Sequence, residues 1–335
     1  MKIAIVTPAP PGSRYGNRIT ALRWAKILRR LGNRVSLLET YDGKPHDLLV
    51  ALHARKSYPS IVNFRRHNPS ASIIVALTGT DLYRDIRTNH RAQESLDMAT
   101  RIVVLQPKAI GELSPRWRKK TRVIYQSVAG MQEQTGTRGS SAKTRTTKVA
   151  AQTNGNFDVC VIGHLRDVKD PFRAAMAARS LPDSSMIRVL QVGGARTSAM
   201  EDRAQKEVRT NKRYRWLGEQ QQGRARRILT KSLLSVVSSR MEGGANVLSE
   251  AIAASVPILA SRIDGNVGIL GPDYPGYFDV GDTAELTRLL RLAETSPRYL
   301  AELKAWTNQL APLVDPMREA QAWSDLIDEL EKVVN

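Results

Sequence analysis

Cysteine and long apolar runs are the scarcest features of this 335-residue sequence. The single cysteine, Cys160, excludes an intramolecular disulfide and fits a reducing compartment. It lies in the apolar run VCVI, which predicts a buried strand position rather than a reactive thiol. No run reaches the roughly 18 apolar residues of a membrane span, and the apolar part of the opening MKIAIVTPAPPG is too short for a signal-peptide core. The sequence therefore predicts a cytoplasmic protein.

Metal-ligand patterns and acidic residues are also scarce. The five histidines are scattered without ligand spacing, so we expect no metal and no other cofactor. Lysine and arginine number 51 against 32 acidic residues, and the net charge of +19 favours phosphorylated small molecules, anionic lipid or nucleic acid as partners. The basic runs fall mostly on polar helix faces, aromatic residues are 5% of the chain, and no nucleic-acid motif is present, which argues against a nucleic-acid partner.

Short apolar strands alternate with amphipathic helices along both halves of the chain. Residues 2–7 form an apolar run, and apolar residues then recur every three positions between Ile19 and Leu31. The same alternation restarts at FDVCVIG, so the sequence predicts an α/β protein with two parallel sheets covered on both faces. Between the halves, residues 135–156 are rich in Ser, Thr and Gly with four basic and no acidic residues, which predicts a flexible basic linker or insertion.

Loops that follow strands should face a ligand, because ligands bind beyond the carboxyl ends of parallel strands. In PAPPGSRYGN, Gly12 permits close backbone approach and the next helix offers free amides to an anion, although a plain turn is the alternative. The absence of G-x-G-x-x-G spacing argues against a dinucleotide. In TGTDLYRD, Asp81 either caps the next helix or contacts a polar substrate together with Thr80.

Two loops of the second half carry the charged residues most suited to a phosphorylated ligand. In GHLRDVKDP, Arg166 and Lys169 can reach one anion, the alternative being a solvated basic loop. In RMEGGANVLSEA, Asn246 is a predicted N-cap, and the helix start attracts phosphate. Glu242 precedes this helix and Glu250 lies one turn inside it, where an ionised carboxylate can accept both hydroxyls of a ribose. Two surface glutamates are the alternative.

The order of these features resembles the GT-B nucleotide-sugar glycosyltransferases of family 4, whose mark is glutamate, seven residues, glutamate after an Arg/Lys loop. The resemblance implies two Rossmann-like lobes with parallel sheets that face a central cleft. It assigns residues 1–134 to an acceptor lobe and residues 157–312 to a donor lobe, and a helix at 313–335 could pack back on the first lobe. More narrowly, GHLRDVKDPF, YRWLGE, EGGANVLSEA and LTGTDLYRDI resemble the selenosugar synthases, which join a sugar from a UDP-sugar to selenium of selenophosphate.

Carried over by position, the resemblance implies that Glu250 holds the uridine ribose, that Glu242 lies near the sugar, and that Arg166 and Lys169 neutralise the diphosphate. Arg166, Lys169 and Glu242 are thus the candidate catalytic residues. The remaining candidate binding residues are Gly12, Ser13, Arg14, Asn17, Thr80, Asp81, His164, Trp216, Gly218, Gly243, Gly244, Ala245, Asn246 and Val247. The family usually has arginine where this chain has His164, so the residue that holds the phosphate stays open.

The acceptor separates two hypotheses. Selenophosphate is already an anion with a nucleophilic selenium, so its transfer needs no general base but needs cations that hold two anions together. The sugar would be GlcNAc or glucose, and the substrates UDP-sugar and selenophosphate. The alternative is a family 4-like glycosyltransferase with a carbohydrate or lipid-linked acceptor, and only this alternative brings the basic first lobe onto an anionic membrane.

Overall fold

The computed structural model describes residues 1–128 and 155–334. Of the predicted linker at 135–156, only Gly155 and Asn156 fall within the described residues. No helix of the described part is long and apolar enough to cross a bilayer. Cys160 is buried inside a strand, as predicted, and burial raises the pKa of its thiol to about 12.

The first lobe consists of a parallel sheet with helices on both faces. Its elements are β1 (Lys2–Val6), α1 (Gly16–Arg30), β2 (Arg34–Leu38), β3 (Leu48–Leu52), α2 (Tyr58–His67), β4 (Ser72–Leu77), α3 (Ile86–Thr88), α4 (His90–Met98), β5 (Arg101–Val104), α5 (Pro115–Arg118) and β6 (Thr121–Val123). Strands β3 and β4 are buried at every position, as expected for apolar strands covered on both faces.

The second lobe repeats this architecture. Its elements are β7 (Phe157–Ile162), α6 (Arg173–Arg179), β8 (Ile187–Val192), α7 (Ser198–Thr210), β9 (Tyr214–Trp216), α8 (Gln222–Lys231), β10 (Leu234–Val237), α9 (Asn246–Ala253), β11 (Ile258–Ser261), α10 (Asp264–Leu270), β12 (Tyr277–Phe278), α11 (Thr283–Thr295) and α12 (Pro297–Gln309). Helix α13 (Pro316–Val334) follows the second lobe.

Each sheet has six parallel strands, which confirms the predicted α/β class with two parallel sheets. The strand orders are β2-β1-β3-β4-β5-β6 and β12-β11-β10-β7-β8-β9. Successive strands are added towards one edge of each sheet and then towards the other, and the switch falls between β1 and β3 in the first sheet and between β7 and β10 in the second. Loops after these strands flank a crevice, the usual ligand position in such sheets.

The last helix, α13, packs against the first lobe although it follows the second. Trp323 meets Trp24 of α1 edge to face, with ring centroids 4.9 Å apart. Glu319 is 2% exposed and accepts hydrogen bonds from Trp24 Nε1 at 2.8 Å and from the Ser127 backbone N–H at 2.9 Å. The buried Glu319 carboxylate therefore links α13 to α1 and to the segment that follows β6.

The two lobes touch at the floor of the crevice through glycines. A Cβ added to Gly243 would lie 2.5 Å from the carbonyl carbon of Thr78, and one added to Gly244 would lie 2.7 Å from Leu105 Cβ. Gly268 in α10 likewise meets Gln106 of the first lobe, where an added Cβ would lie 1.8 Å from Gln106 Oε1. At these three glycines the lobes thus approach each other more closely than a residue with a Cβ atom would allow.

Candidate active site

The two crevices open into one cavity of about 430 Å³ between the lobes. Loops after β1, β3 and β4 line it on one side, and loops after β7, β8 and β10 line it on the other. The residues that line the cavity are Pro8, Ala9, Tyr15, Gly16, Asn17, His53, Lys56, Thr78, Gly79, Thr80, Arg166, Val168, Lys169, Arg196, Met241 and Glu242. This lining contains four lysine or arginine side chains and one carboxylate, so the cavity is suited to an anionic ligand.

Glu242 and Lys169 form an ion pair in the wall of the cavity. The Glu242 carboxylate accepts from Lys169 Nζ and from Ser239 Oγ, the latter at 2.6 Å, and Glu242 is 9% exposed. Its position is fixed from behind, because a Cβ added to Gly265 at the start of α10 would lie 2.0 Å from the Glu242 carbonyl oxygen. The Glu242 carboxylate therefore holds the Lys169 ammonium group in place in the wall of the cavity.

Arg166 lies in the same loop and is exposed. It precedes a 3-10 turn at Asp167–Lys169, and the chain then reverses at Asp170, whose φ of 42° is left-handed. Arg166 and Lys169 lie at the two ends of this turn, and both line the cavity.

His164 lies where the two lobes meet, next to the lining residue Arg196. Arg196 Nη2 donates towards His164 Nε2 at 2.7 Å, and the Gly194 N–H faces His164 Nδ1 at 3.2 Å. Burial and the Arg196 charge lower the pKa of His164, so its ring is neutral at neutral pH. The ring also contacts the first lobe, 6.0 Å from the Tyr15 ring. His164 thus adds a neutral interlobe contact rather than another cation.

Glu250 lies outside the lining of this cavity, inside α9. Its side chain is 15% exposed, and its Oε1 lies 3.8 Å from Arg226 Nε. Burial raises the pKa of Glu250, while Arg226 and Arg23 oppose that shift. The two carboxylates of the predicted pair therefore have different surroundings: Glu242 is neutralised by a lysine, and Glu250 is a desolvated carboxylate between arginines.

The loop between the two glutamates differs from the predicted N-cap. Helix α9 begins at Asn246 with Ala245 as its N-cap, and no side chain caps it. The Asn246 side chain instead accepts from Arg23 Nη1 of the first lobe at 3.2 Å. The N-cap prediction was wrong because a partner on the other lobe binds this amide.

Trp216 and Gly218, two of the candidate binding residues, belong to a surface formed largely by backbone atoms. Trp216 Nε1 donates to the Gly193 carbonyl at 2.8 Å, and the Gly193 N–H donates to the Gly218 carbonyl at 2.8 Å. Gly193 also packs on Gly163, where an added Cβ would lie 2.0 Å from the Gly163 carbonyl oxygen. The loops after β7, β8 and β9 therefore meet here mainly through backbone atoms.

Five of the predicted residues line the cavity and the others lie outside its lining. Those inside are Asn17, Thr80, Arg166, Lys169 and Glu242. Those outside are Gly12, Ser13, Arg14, Asp81, His164, Trp216, Gly218, Gly243, Gly244, Ala245, Asn246, Val247 and Glu250. Asp81 is fully buried and accepts backbone hydrogen bonds from Ala54 at 3.1 Å, Thr78 at 3.1 Å and Gly79 at 2.9 Å, so it shapes the loops after β3 and β4.

Sequence reasoning missed His53, Lys56 and Arg196. His53 is 4% exposed, and its φ of 75° is rare for a residue other than glycine. Its Nε2 lies 3.3 Å from Thr80 Oγ1, and burial lowers its pKa against the opposing charge of Asp81. The stretches HARKS and GGARTS follow β3 and β8, so the rule that loops after strands face the ligand would have found all three.

In the described residues, no group of three or more His, Cys, Asp or Glu side chains is arranged to hold a metal ion. The cationic side chains of the cavity are the groups that can bind phosphate oxygens there.

Comparisons with known proteins bear on the family and the fold of the chain. Residues 143–309 match the family described as "Glycosyl transferases group 1". No match was found among curated proteins.

Solved structures share the fold along the whole chain. Anabaena Alr3699/HepE in complex with UDP-glucose superposes with a TM-score of 0.76 at 13% identity, covering 98% of this chain and 100% of that one. The sucrose-phosphate synthase tll1590 from Thermosynechococcus elongatus gives 0.74 at 14% identity, covering 99% of both chains. A glycosyltransferase from Rickettsia africae ESF-5 gives 0.69 at 12% identity, covering 99% of this chain and 98% of that one. Together, the match over residues 143–309 and this fold identify the chain as a group 1 glycosyltransferase with the GT-B fold.

Proposed function

We propose that this enzyme transfers a sugar, GlcNAc or glucose, from a UDP-sugar to the selenium of selenophosphate. Selenium forms a bond to the anomeric carbon while the C–O bond to UDP breaks, and that electron pair leaves with the β-phosphate of UDP. Hydrolysis of the Se–P bond then releases phosphate and the selenosugar. The observation that carries the proposal is the cationic interlobe cavity, in which Lys169 is paired with Glu242.

The donor side of the proposal is supported by the second lobe. Group 1 membership and the complexes of HepE with UDP and UDP-glucose favour a UDP-sugar donor. Arg166 and Lys169 would stabilise the charge that builds on the departing diphosphate, which lets the reaction proceed without a metal. Glu250 would accept the ribose hydroxyls, Glu242 would lie at the sugar, and the backbone from Gly243 to Val247 would contact sugar and phosphate.

The uracil and the first-lobe contacts complete the proposed donor site. The backbone surface at Trp216 and Gly218 would border the uracil. The loop that contains Gly12, Ser13 and Arg14 would approach from the first lobe, and Asn17 already lines the cavity.

The acceptor side is supported by the state of the carboxylates. A hydroxyl acceptor needs a base to take its proton, whereas selenophosphate does not. In the cavity lining, Glu242 already accepts from Lys169 and Ser239, and behind the lining the buried Asp81 accepts three backbone N–H groups. Neither carboxylate is placed to take a proton, while Lys56 and Arg196 add positive charge. A cytoplasmic setting agrees with the single buried cysteine.

The test is a mass-spectrometric assay of the purified protein with selenophosphate and either UDP-GlcNAc or UDP-glucose. We expect a selenosugar mass and one UDP per product, with turnover unchanged by EDTA. Lys169→Met serves as the impaired control. UDP release at the same rate with and without selenophosphate, and no selenium in the product, would contradict the acceptor assignment.

One observation favours a second candidate function, transfer to a carbohydrate or lipid-linked hydroxyl. His53 is held neutral by burial and lies 3.3 Å from Thr80 in the cavity, where a hydroxyl acceptor would need a base. Under this alternative His53→Gln would lower turnover at least a hundredfold. Under the selenophosphate proposal the loss stays below tenfold, so steady-state kinetics of this one variant separates the two.

A further inference from the structure

A second, shallow cavity of about 460 Å³ adjoins the active-site cavity on the first lobe. Its lining consists of Arg55, Lys56, Pro59, Asn89, His90 and Arg91. Lys56 belongs to the lining of both cavities, so the two spaces meet at its side chain.

Among the described residues, the lining of this second cavity contains three permanent cations and no acidic residue. Arg55 is neutralised in part, because its Nε donates to Asp85 Oδ2 at 2.7 Å. Within the described residues, neither Lys56 nor Arg91 has a carboxylate oxygen within 4.0 Å of its charged nitrogen. Arg91 lies over the Tyr58 ring, 5.9 Å from its centroid, and this contact leaves its charge without a counterion, so both cations are available to an anion.

The placement of the cations runs against the usual electrostatics of helix ends. The first turns of α2 and α4 both lie at this cavity and contain no acidic residue. Lys56 lies just before α2, and Arg91 lies in the first turn of α4, although the positive end of a helix dipole disfavours cations. An oxyanion bound between them would be attracted by both side chains and by both helix starts.

Thr80 can supply a neutral donor on the side of the active-site cavity. The Lys56 backbone N–H donates to His53 Nδ1 at 3.4 Å, which leaves the ring proton on Nε2. Nε2 then donates to Thr80 Oγ1 at 3.3 Å, and the Thr80 hydroxyl proton is free to point into the cavity. His53 thereby acts as a positioning residue for Thr80.

We propose that Lys56 and Arg91 bind a phosphate-type oxyanion of the acceptor where the two cavities meet, with the Thr80 hydroxyl as a further donor. The inference rests on the proposed function, since it names the acceptor site of that transfer. Selenophosphate and a phosphorylated sugar share this oxyanion chemistry, and the experiment distinguishes them. The donor anion is bound from the opposite wall by Arg166 and Lys169.

The test is isothermal titration calorimetry on the full chain saturated with UDP, with thiophosphate as the probe. Lys56→Met and Arg91→Met should each raise the Kd for thiophosphate about tenfold or more, because each removes a charge-assisted hydrogen bond. The Kd for UDP should stay within twofold in Arg91→Met, because Arg91 lies outside the lining of the active-site cavity. The matched control is Lys26→Met, an exposed lysine in α1 about 15 Å along the helix from Gly16, which should change neither value.

A parallel titration with glucose 6-phosphate identifies the source of the oxyanion. If only glucose 6-phosphate binds and its Kd depends on Lys56, the oxyanion site stands and the selenophosphate acceptor is wrong. If UDP binds to the wild type but neither probe does, or if both variants bind thiophosphate within twofold of wild type, the oxyanion site is refuted. If UDP itself does not bind, the proposed function fails first.

Discussion

Replacement of Glu250 by glutamine tests the donor site most directly, because it removes a charge while keeping the shape of the side chain. The Glu250 carboxylate is desolvated inside α9, 3.8 Å from Arg226 Nε. If it accepts the ribose hydroxyls, the variant keeps one carbonyl acceptor and loses the second acceptor and the charge.

The size of the effect follows from the hydrogen bonds that are lost. Hydrogen bonds to charged groups contribute about 1.5–3 kcal/mol, compared with about 0.5–1.5 kcal/mol for neutral pairs. Loss of the charge and of one acceptor should therefore weaken UDP binding by about 1.5–3 kcal/mol, which corresponds to roughly a ten- to 150-fold higher Kd.

Protonation of Glu250 should mimic the substitution. Burial raises the pKa of Glu250 above its ordinary value, so UDP affinity of the wild type should fall as the pH drops through that raised pKa. Folding stability has the opposite sign. The folded state holds this proton more tightly than the unfolded state, so stability is lost as the pH rises through the same window, and the ionised carboxyl is a net cost at pH 7. Glu250→Gln should thus bind UDP more weakly without a lower Tm.

Calorimetry of UDP binding between pH 5 and 8, with thermal melts at each pH, checks both signs. Glu302→Gln, an exposed glutamate of α12, is the matched control and should leave UDP affinity and Tm unchanged. An unaltered UDP affinity in Glu250→Gln would refute the ribose role. A lower Tm with unaltered affinity would instead assign Glu250 a purely structural role beside Arg226.

Three further predictions concern the proposed catalytic cations, the floor of the cavity and the last helix. Lys169→Ala and Arg166→Ala should each lower kcat about ten- to a thousandfold through the loss of ~1.5–4 kcal/mol of charge stabilisation, and unchanged steady-state rates would exclude them from catalysis. Gly243→Ala should push the lobes apart, because its methyl group would lie 2.5 Å from the Thr78 carbonyl carbon. Small-angle scattering should then show a larger radius of gyration. An unchanged radius with normal turnover would contradict close packing at the floor. Glu319→Leu leaves Nε of the half-buried Arg23 and the Trp24 indole N–H without their acceptor and should lower the free energy of unfolding by about 3–5 kcal/mol in urea titrations. A change under about 1 kcal/mol would contradict the importance of this carboxylate.

The repeated strands could be predicted from the sequence because both faces of each sheet are covered. Such strands read as uninterrupted apolar runs, and the run at 2–7 matches β1 to within one residue. Strand β12 has no such signal. It consists of Tyr277 and Phe278 alone and exists because it pairs with Ala260 and Ser261 of β11, a tertiary contact that no local pattern reports.

The residues of the candidate site could likewise be predicted where a local pattern marks them, and not where a contact between the lobes decides their role. Arg166, Lys169 and Glu242 could be placed together because each follows a strand of one sheet, and the carboxyl ends of parallel strands share an edge. The role of Asn246 could not be predicted, because Arg23 of the first lobe takes its side-chain oxygen. Contacts between the lobes depend on how the two lobes pack against each other. Sequence periodicity reports local structure only and cannot predict that packing.

The contacts between the lobes differ in kind from the floor of the cavity to its mouth. At the floor, Gly243 and Gly268 bring backbone and side chains together without intervening atoms, so movement there must break close packing. At the mouth, Arg14 and Glu219 form an exposed ion pair at 3.9 Å, and exposed pairs contribute about 0–1 kcal/mol. Opening at the mouth would break this ion pair, the contact of Arg196 with the Tyr15 ring and the contact of His164 with Arg14, whereas opening at the floor must separate closely packed backbone. Glu242 adjoins Gly243 and packs against Gly265 at the floor, so the proposed catalytic pair of Lys169 and Glu242 would keep its geometry while substrates enter through the mouth.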